Sequence, residues 1–125
     1  MRIPEPPLGL TARQRCCWDN LAPRVAVVDE DPAMVGLVMR AAVGAYVVYN
    51  QFRTQIAATG VFAVVDGELG INPLVHQAEE LRVSARRCLA VLGVIPANQI
   101  DGSLALNGDM NDRELALIFD QNETN

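Results

Sequence analysis

The chain contains no lysine, and all ten of its basic residues are arginine. An Arg-only composition with abundant Ala and Val fits a GC-rich coding sequence. Arg is also the better bidentate phosphate ligand. Histidine occurs once, as His76, and the three cysteines (Cys16, Cys17 and Cys88) are odd in number and lack metal-ligand spacing. No zinc site is expected from such a set, and free thiols match a reducing compartment. A Gly-rich phosphate loop is missing, which rules out an ATPase motor. No nucleophile–base pair is visible either, so the chain reads as a non-enzyme with no cofactor and no metal. The opening residues, MRIPEPPLGL, lack the apolar core of a signal peptide.

What is present is one domain's worth of chain, 125 residues, half of them apolar. Charge is divided along it. Residues 1–28 carry four Arg against Glu5 and Asp19, residues 29–100 five Arg against seven acids, and residues 101–125 Arg113 against six acids. A basic amino end and an acidic tail point to different partners for the two ends. The run AMVGLVMRAAVGAYVVY (33–49) is apolar, but Arg40 lies near its middle. Its uncharged stretch falls short of the ~20 residues a membrane span needs, and a central Arg is costly there, so no membrane partner is expected.

Residues 1–10 are Pro-rich and read as an extended arm. Thr11 can cap a first helix over 12–22, ending before Pro23, with Leu10, Cys17, Trp18 and Leu21 on its apolar side. Asp31 followed by Pro32 is a strong helix start, and nothing stops the pattern before Thr59-Gly60. A helix of about 28 residues is ~42 Å long at 1.5 Å per residue. That is long beside the ~14 Å radius of gyration of a compact chain of this size. Met34, Val38, Ala41, Ala45, Val48 and Phe52 form one heptad-like seam on it. Val35, Met39, Ala42, Tyr46 and Tyr49 form a second, with Val43 and Val47 between. A helix apolar nearly all round needs cover on every side, so another copy of the chain is the expected cover for part of it. The oligomerisation residues expected on this ground are Val35, Met39, Ala42, Val43, Tyr46, Val47 and Tyr49.

Residues 60–71 read as a short hairpin or loop with Asp66-Gly67 at the turn, and no larger sheet is expected. Asn72 caps a third helix that starts at Pro73 and stops at Gly93. Leu74, Ala78, Leu81, Ala85, Cys88 and Leu92 supply its apolar stripe, and Glu79, Glu80, Arg82, Arg86 and Arg87 its other face. His76 reads as a solvated surface residue. Residues 101–111 are turn-rich and read as a linker. Asn111, with Glu114 three residues on, then opens a short last helix bearing Leu115, Ile118 and Phe119.

In order along the chain stand Leu10-Thr11, Trp18, Asp31 opening the long helix, Tyr46 and Tyr49 inside it, Gly60, Gly70, Asn72-Pro73, Leu81, Leu92-Gly93 and Pro96. This layout over roughly residues 10–100 resembles the small subunit of phage terminases. The Asn-Pro plus Leu-Gly-x-x-Pro frame is its most specific part. Ala97-Asn98-Gln99 lacks the Arg that usually follows the proline in that family. The resemblance implies an all-α fold: a helical protomer with a long central helix hairpin, expected to assemble into a ring. The expected division is an extended arm (1–10), a DNA-recognition and oligomerisation domain (11–100), and an acidic linker with C-terminal helix (101–125). The implied function is to recognise viral double-stranded DNA and deliver it to the terminase large subunit, the ATPase and nuclease, in the cytoplasm of the bacterial host. Expected phosphate contacts are Arg2, Arg13, Arg15 and Arg24 at the amino end and Arg82, Arg86 and Arg87 on the third helix. The expected large-subunit contact is Leu115, Ile118 and Phe119. A pI of about 4.7 sits awkwardly with DNA binding, since phosphate affinity comes mostly from positive charge. Two other readings stay open: a helical transcription regulator of prophage type, and a structural oligomerisation protein without DNA affinity.

Overall fold

A computed structural model describes residues 5–26, 31–100 and 112–120. They form four α-helices and one small two-stranded sheet: α1 (Ala12–Leu21), α2 (Pro32–Thr59), β1 (Phe62–Val65), β2 (Glu68–Ile71), α3 (Pro73–Val91) and α4 (Arg113–Phe119). Short 3₁₀ turns follow α1 at Ala22–Arg24 and α3 at Ala97–Gln99. The described chain is thus mostly helical.

The helix boundaries follow from local chemistry. Thr11 and Gln14 form a reciprocal capping box at the start of α1, with Gln14 N donating to Thr11 Oγ1 (3.1 Å) and Thr11 N to Gln14 Oε1 (2.9 Å). Asp31 caps α2 ahead of Pro32, accepting from Ala33 N at 3.1 Å. Gly60 ends α2 in a positive-φ conformation (φ 95°) that a side chain would strain. Asp66 (φ 55°) and Gly67 (φ 82°) then supply the paired left-handed residues of a two-residue hairpin turn. Asn72 joins the two long helices. Its carboxamide oxygen accepts from Leu74 N (3.1 Å), capping α3. Its amide nitrogen donates to Thr59 Oγ1 (3.0 Å) and Gly60 O (2.9 Å), tying off the end of α2. Gly93 (φ 75°) closes the exit of α3, where Ala26 packs against it and donates to Leu92 O at 3.0 Å.

The long helix α2 packs along α3, while α1 and α4 pack on each other and on α2. The core holds Trp18 and Leu21 of α1, Met39, Ala42, Val43 and Ile56 of α2, Ala78, Ala85 and Leu89 of α3, and Leu115 and Phe119 of α4. By length and composition α2 would pass for a membrane span, but its Val35-to-Ile56 stripe is buried inside the protein.

Two helix faces differ from the sequence reading. Of the expected α3 stripe, Ala78, Ala85 and Leu92 are buried while Leu74, Leu81 and Cys88 are half-buried; the buried face turns instead to include Val75, Arg82, Arg86 and Leu89. The seam Val35, Met39, Ala42, Tyr46 and Tyr49 of α2, with Val43, is sealed within the protomer. These residues are therefore not a contact between copies. Of the expected oligomerisation set only Val47 keeps partial exposure. The chain's own α1, α3 and α4 supply its cover.

Candidate functional site

The densest polar chemistry surrounds α4. Asp112, not Asn111, caps this helix, accepting from Leu115 N at 3.3 Å; Asn111 lies outside the described residues. The Asp112 carboxylate also receives Arg86 Nε (2.8 Å), Arg86 Nη2 (3.0 Å) and Arg82 Nη1 (3.1 Å). Its backbone N–H donates to the Tyr49 hydroxyl (3.1 Å). Glu79 holds Arg82 from the preceding turn (Nε to Oε1, 2.9 Å), and Glu114 holds Arg86 at 2.8 Å. Arg86 also donates to the Gln99 carbonyl at 2.9 Å. Two guanidiniums thus meet three carboxylates, with Arg82 and Asp112 fully inside the protein. Burial pushes the Asp112 carboxyl upward, but the hydrogen bonds from Arg86 and Arg82 outweigh it and hold the group below its ordinary value.

A second cluster fastens the other end of α4. Asp120 is paired with Arg13 of α1 and accepts from the Tyr46 hydroxyl of α2. Phe119 stacks on the Tyr46 ring with centroids 4.4 Å apart, and the Arg13 guanidinium lies 5.8 Å from the same ring's centre. Asn20 donates to the Phe119 carbonyl at 2.7 Å. Burial raises the Asp120 carboxyl, and Arg13 and Tyr46 more than reverse it. Burial is also the largest cause raising the Tyr46 phenol.

These clusters correct three expectations. Arg82 and Arg86 are not phosphate contacts, because their guanidiniums are buried and committed to Asp112, Glu79 and Glu114. Arg13 is half-buried and committed to Asp120. Leu115, Ile118 and Phe119 are core residues, sealed against α1 and α2, so they are not an open surface for another protein. The sequence did carry a signal for the arginines. Val75, Ala78, Arg82, Ala85 and Leu89 step by three and four, which places Arg82 in an apolar seam. The partner Asp112, thirty residues away, had no local signal.

Other expected cations stay at the surface. Arg15 is exposed beside Asp19 at 3.5 Å, Arg24 is exposed with a long contact to the Leu117 carbonyl (3.4 Å), and Arg87 is exposed; Arg2 lies outside the described residues. Arg40 and Arg113, outside the expected phosphate contacts, are also exposed. His76 is exposed as expected. Among the described residues no group of three His, Cys, Asp or Glu is gathered for a metal.

Apolar surface is the other notable feature. Leu8, Met34, Leu37, Phe62, Val64, Leu69, Ile71, Val91 and Leu117 stand out into solvent. A cleft of about 170 Å3 beside the start of α2 is lined by Glu5, Pro7, Trp18, Ala33, Gly36, Leu37 and Arg40. No family model matches this chain, and no curated protein or solved structure is significantly similar to it.

Proposed function

We propose that the chain is a non-enzymatic adaptor of the terminase small-subunit kind. On this reading it self-assembles, binds viral double-stranded DNA and delivers it to a large ATPase–nuclease subunit. The observation that carries the reading is the ordered frame from Asp31 through Asn72-Pro73 to Leu92-Gly93 and Pro96. The architecture is compatible with that frame: Asp31 and Gly60 bound α2, and Asn72 and Gly93 bound α3. The two long helices and the ribbon between them would form the central hairpin of such a protomer. Uncovered apolar side chains at both ends of α2 support assembly into a larger body, expected to be a ring. The phosphate contacts are then the arginines still facing water: Arg15 and Arg24 near the amino end, and Arg87 on α3.

A salt series of duplex DNA binding tests this. The wild type should bind, with log affinity falling linearly in log salt. Arg15→Ala with Arg24→Ala should weaken binding to all sequences alike and lower the slope by about one for each phosphate contact removed. A second reading, a structural oligomer without DNA affinity, draws support from the internal commitment of Arg13, Arg82 and Arg86. No DNA retention by the wild type at low salt would select it.

A further inference from the structure

In the ribbon, Phe62 lies opposite Ile71 and Val64 opposite Leu69. Residues directly across an antiparallel pair share a face, as do residues two apart on one strand. All four large side chains therefore stand on one side, with exposures of 64, 43, 71 and 75% respectively. The opposite side pairs Ala63 with Gly70, both half-buried. The outward face leaves on the order of 400 Å2 of apolar surface in water, comparable to the largest patch on a typical monomer. A second apolar site, the cleft at Ala33, Gly36 and Leu37 floored by Trp18, lies at the other end of α2. About 30 Å of helix separates the two at 1.5 Å per residue. One copy's ribbon therefore cannot fill its own cleft.

We propose that copies of the chain associate head to tail, the β1–β2 ribbon of one seating in the cleft at the start of α2 on the next. The proposal rests on the assembling-adaptor reading above and names the surfaces that reading needs. Charge favours this pairing over ribbon against ribbon. The ribbon turn carries exposed Asp66 and Glu68, and Arg40 at the cleft is exposed with no ion pair among the described residues. Glu5 lines the cleft too, so the acidic turn is favoured on the Arg40 side. A ribbon-to-ribbon dimer would leave Leu37 in water and Arg40 unpaired. The head-to-tail contact covers both patches of every copy. With the cleft wall included it buries on the order of 1,000 Å2, the lower limit for a specific interface. One such contact is weak, and a closed ring gives each copy two.

Mixing of two variants of the full chain tests the proposal. Phe62→Glu with Val64→Glu disables the ribbon, and Ala33→Glu with Leu37→Glu disables the cleft. Three of these side chains stand in water and Ala33 is exposed on the first turn of α2, so an unchanged circular dichroism spectrum is expected, with the melting temperature lowered only by the loss of assembly. By light scattering the wild type should be an oligomer and each variant alone a monomer. At a protein concentration raised to offset the loss of the second contact, an equimolar mixture should give a one-to-one dimer and nothing larger, because each variant keeps one intact half. A wild-type monomer at micromolar concentration would overturn the proposal, as would a ribbon variant with wild-type mass. A cleft variant that still dimerises would overturn it in favour of ribbon-to-ribbon contact. DNA retention by the wild type, measured alongside, separates the two claims. Failed mixing with DNA affinity intact removes only the head-to-tail contact. A correct mixing result without DNA affinity removes only the adaptor reading.

Discussion

Asp112 does three things with one carboxylate: it caps α4, pairs with Arg86 and pairs with Arg82. A buried ion pair offers little net stability over an apolar substitute, yet losing one partner is costly because the other charge stays buried. Asp112→Asn isolates that cost, since Asn caps a helix about as well as Asp. It should destabilise the fold by about 3–5 kcal/mol in urea unfolding, and a loss under about 1 kcal/mol would mean the guanidiniums find water instead. The same chemistry sets an acid limit. Asp112 and Asp120 are both depressed in the folded chain. Their contribution is therefore complete above the unfolded carboxylate pKa of ~3.9 and is lost as pH falls through the lower folded values. Stability should be level with respect to these two groups from pH 5 to 7 and decline below about pH 4.5. Melting temperatures across a pH series would show it, and Asp112→Asn should flatten the decline.

At the scale of elements, α4 is the instructive case. Seven residues are too few for a stable helix in water, so tertiary contact must hold it. Leu115, Ile118 and Phe119 supply the apolar part, worth about 1.5–3 kcal/mol each when fully buried. Asp112 and Asp120 fix its two ends. Ending the chain at Asn111 should therefore lower the melting temperature sharply or prevent folding. Phe119→Ala should cost about 3–5 kcal/mol, as for other buried aromatic truncations. A truncated chain with wild-type stability would return the tail to the role of a free contact for another protein. The tyrosines of α2 take their meaning from the same docking. Tyr46 and Tyr49 are buried because α4 lies over them, and their hydroxyls bond Asp120 and the Asp112 backbone.

For the whole molecule, folding spends the buried arginines and leaves an acidic chain with dispersed surface cations. On the adaptor reading, DNA affinity then comes from bringing surface arginines such as Arg15, Arg24 and Arg87 of several copies together. Assembly and DNA binding should accordingly fall together: ribbon or cleft variants that are monomers should also lose DNA retention at moderate salt. Strong binding by a monomer would break this link.

The element boundaries were legible in the sequence because caps and breakers act locally. Thr11, Asp31-Pro32, Gly60, Asp66-Gly67, Asn72-Pro73 and Gly93 each act within a few residues of their own position. Hydrophobic spacing also identified Val35, Met39, Ala42, Tyr46 and Tyr49 as one seam, without saying what covers it. Tertiary structure alone decided that cover: the chain's own α1, α3 and α4, with α4 closing over Tyr46 and Tyr49. It also decided which way α3 turns. Ala78 and Ala85 are buried as their spacing implies, but the helix is rolled so that Arg82 and Arg86 are covered more fully than the apolar Leu74, Leu81 and Cys88. That choice depends on Asp112, whose carboxylate makes burial of Arg82 and Arg86 tolerable only once α4 has docked. A charge pair thirty residues apart leaves no periodic trace in the sequence, so the fate of these arginines is settled only when the helices meet.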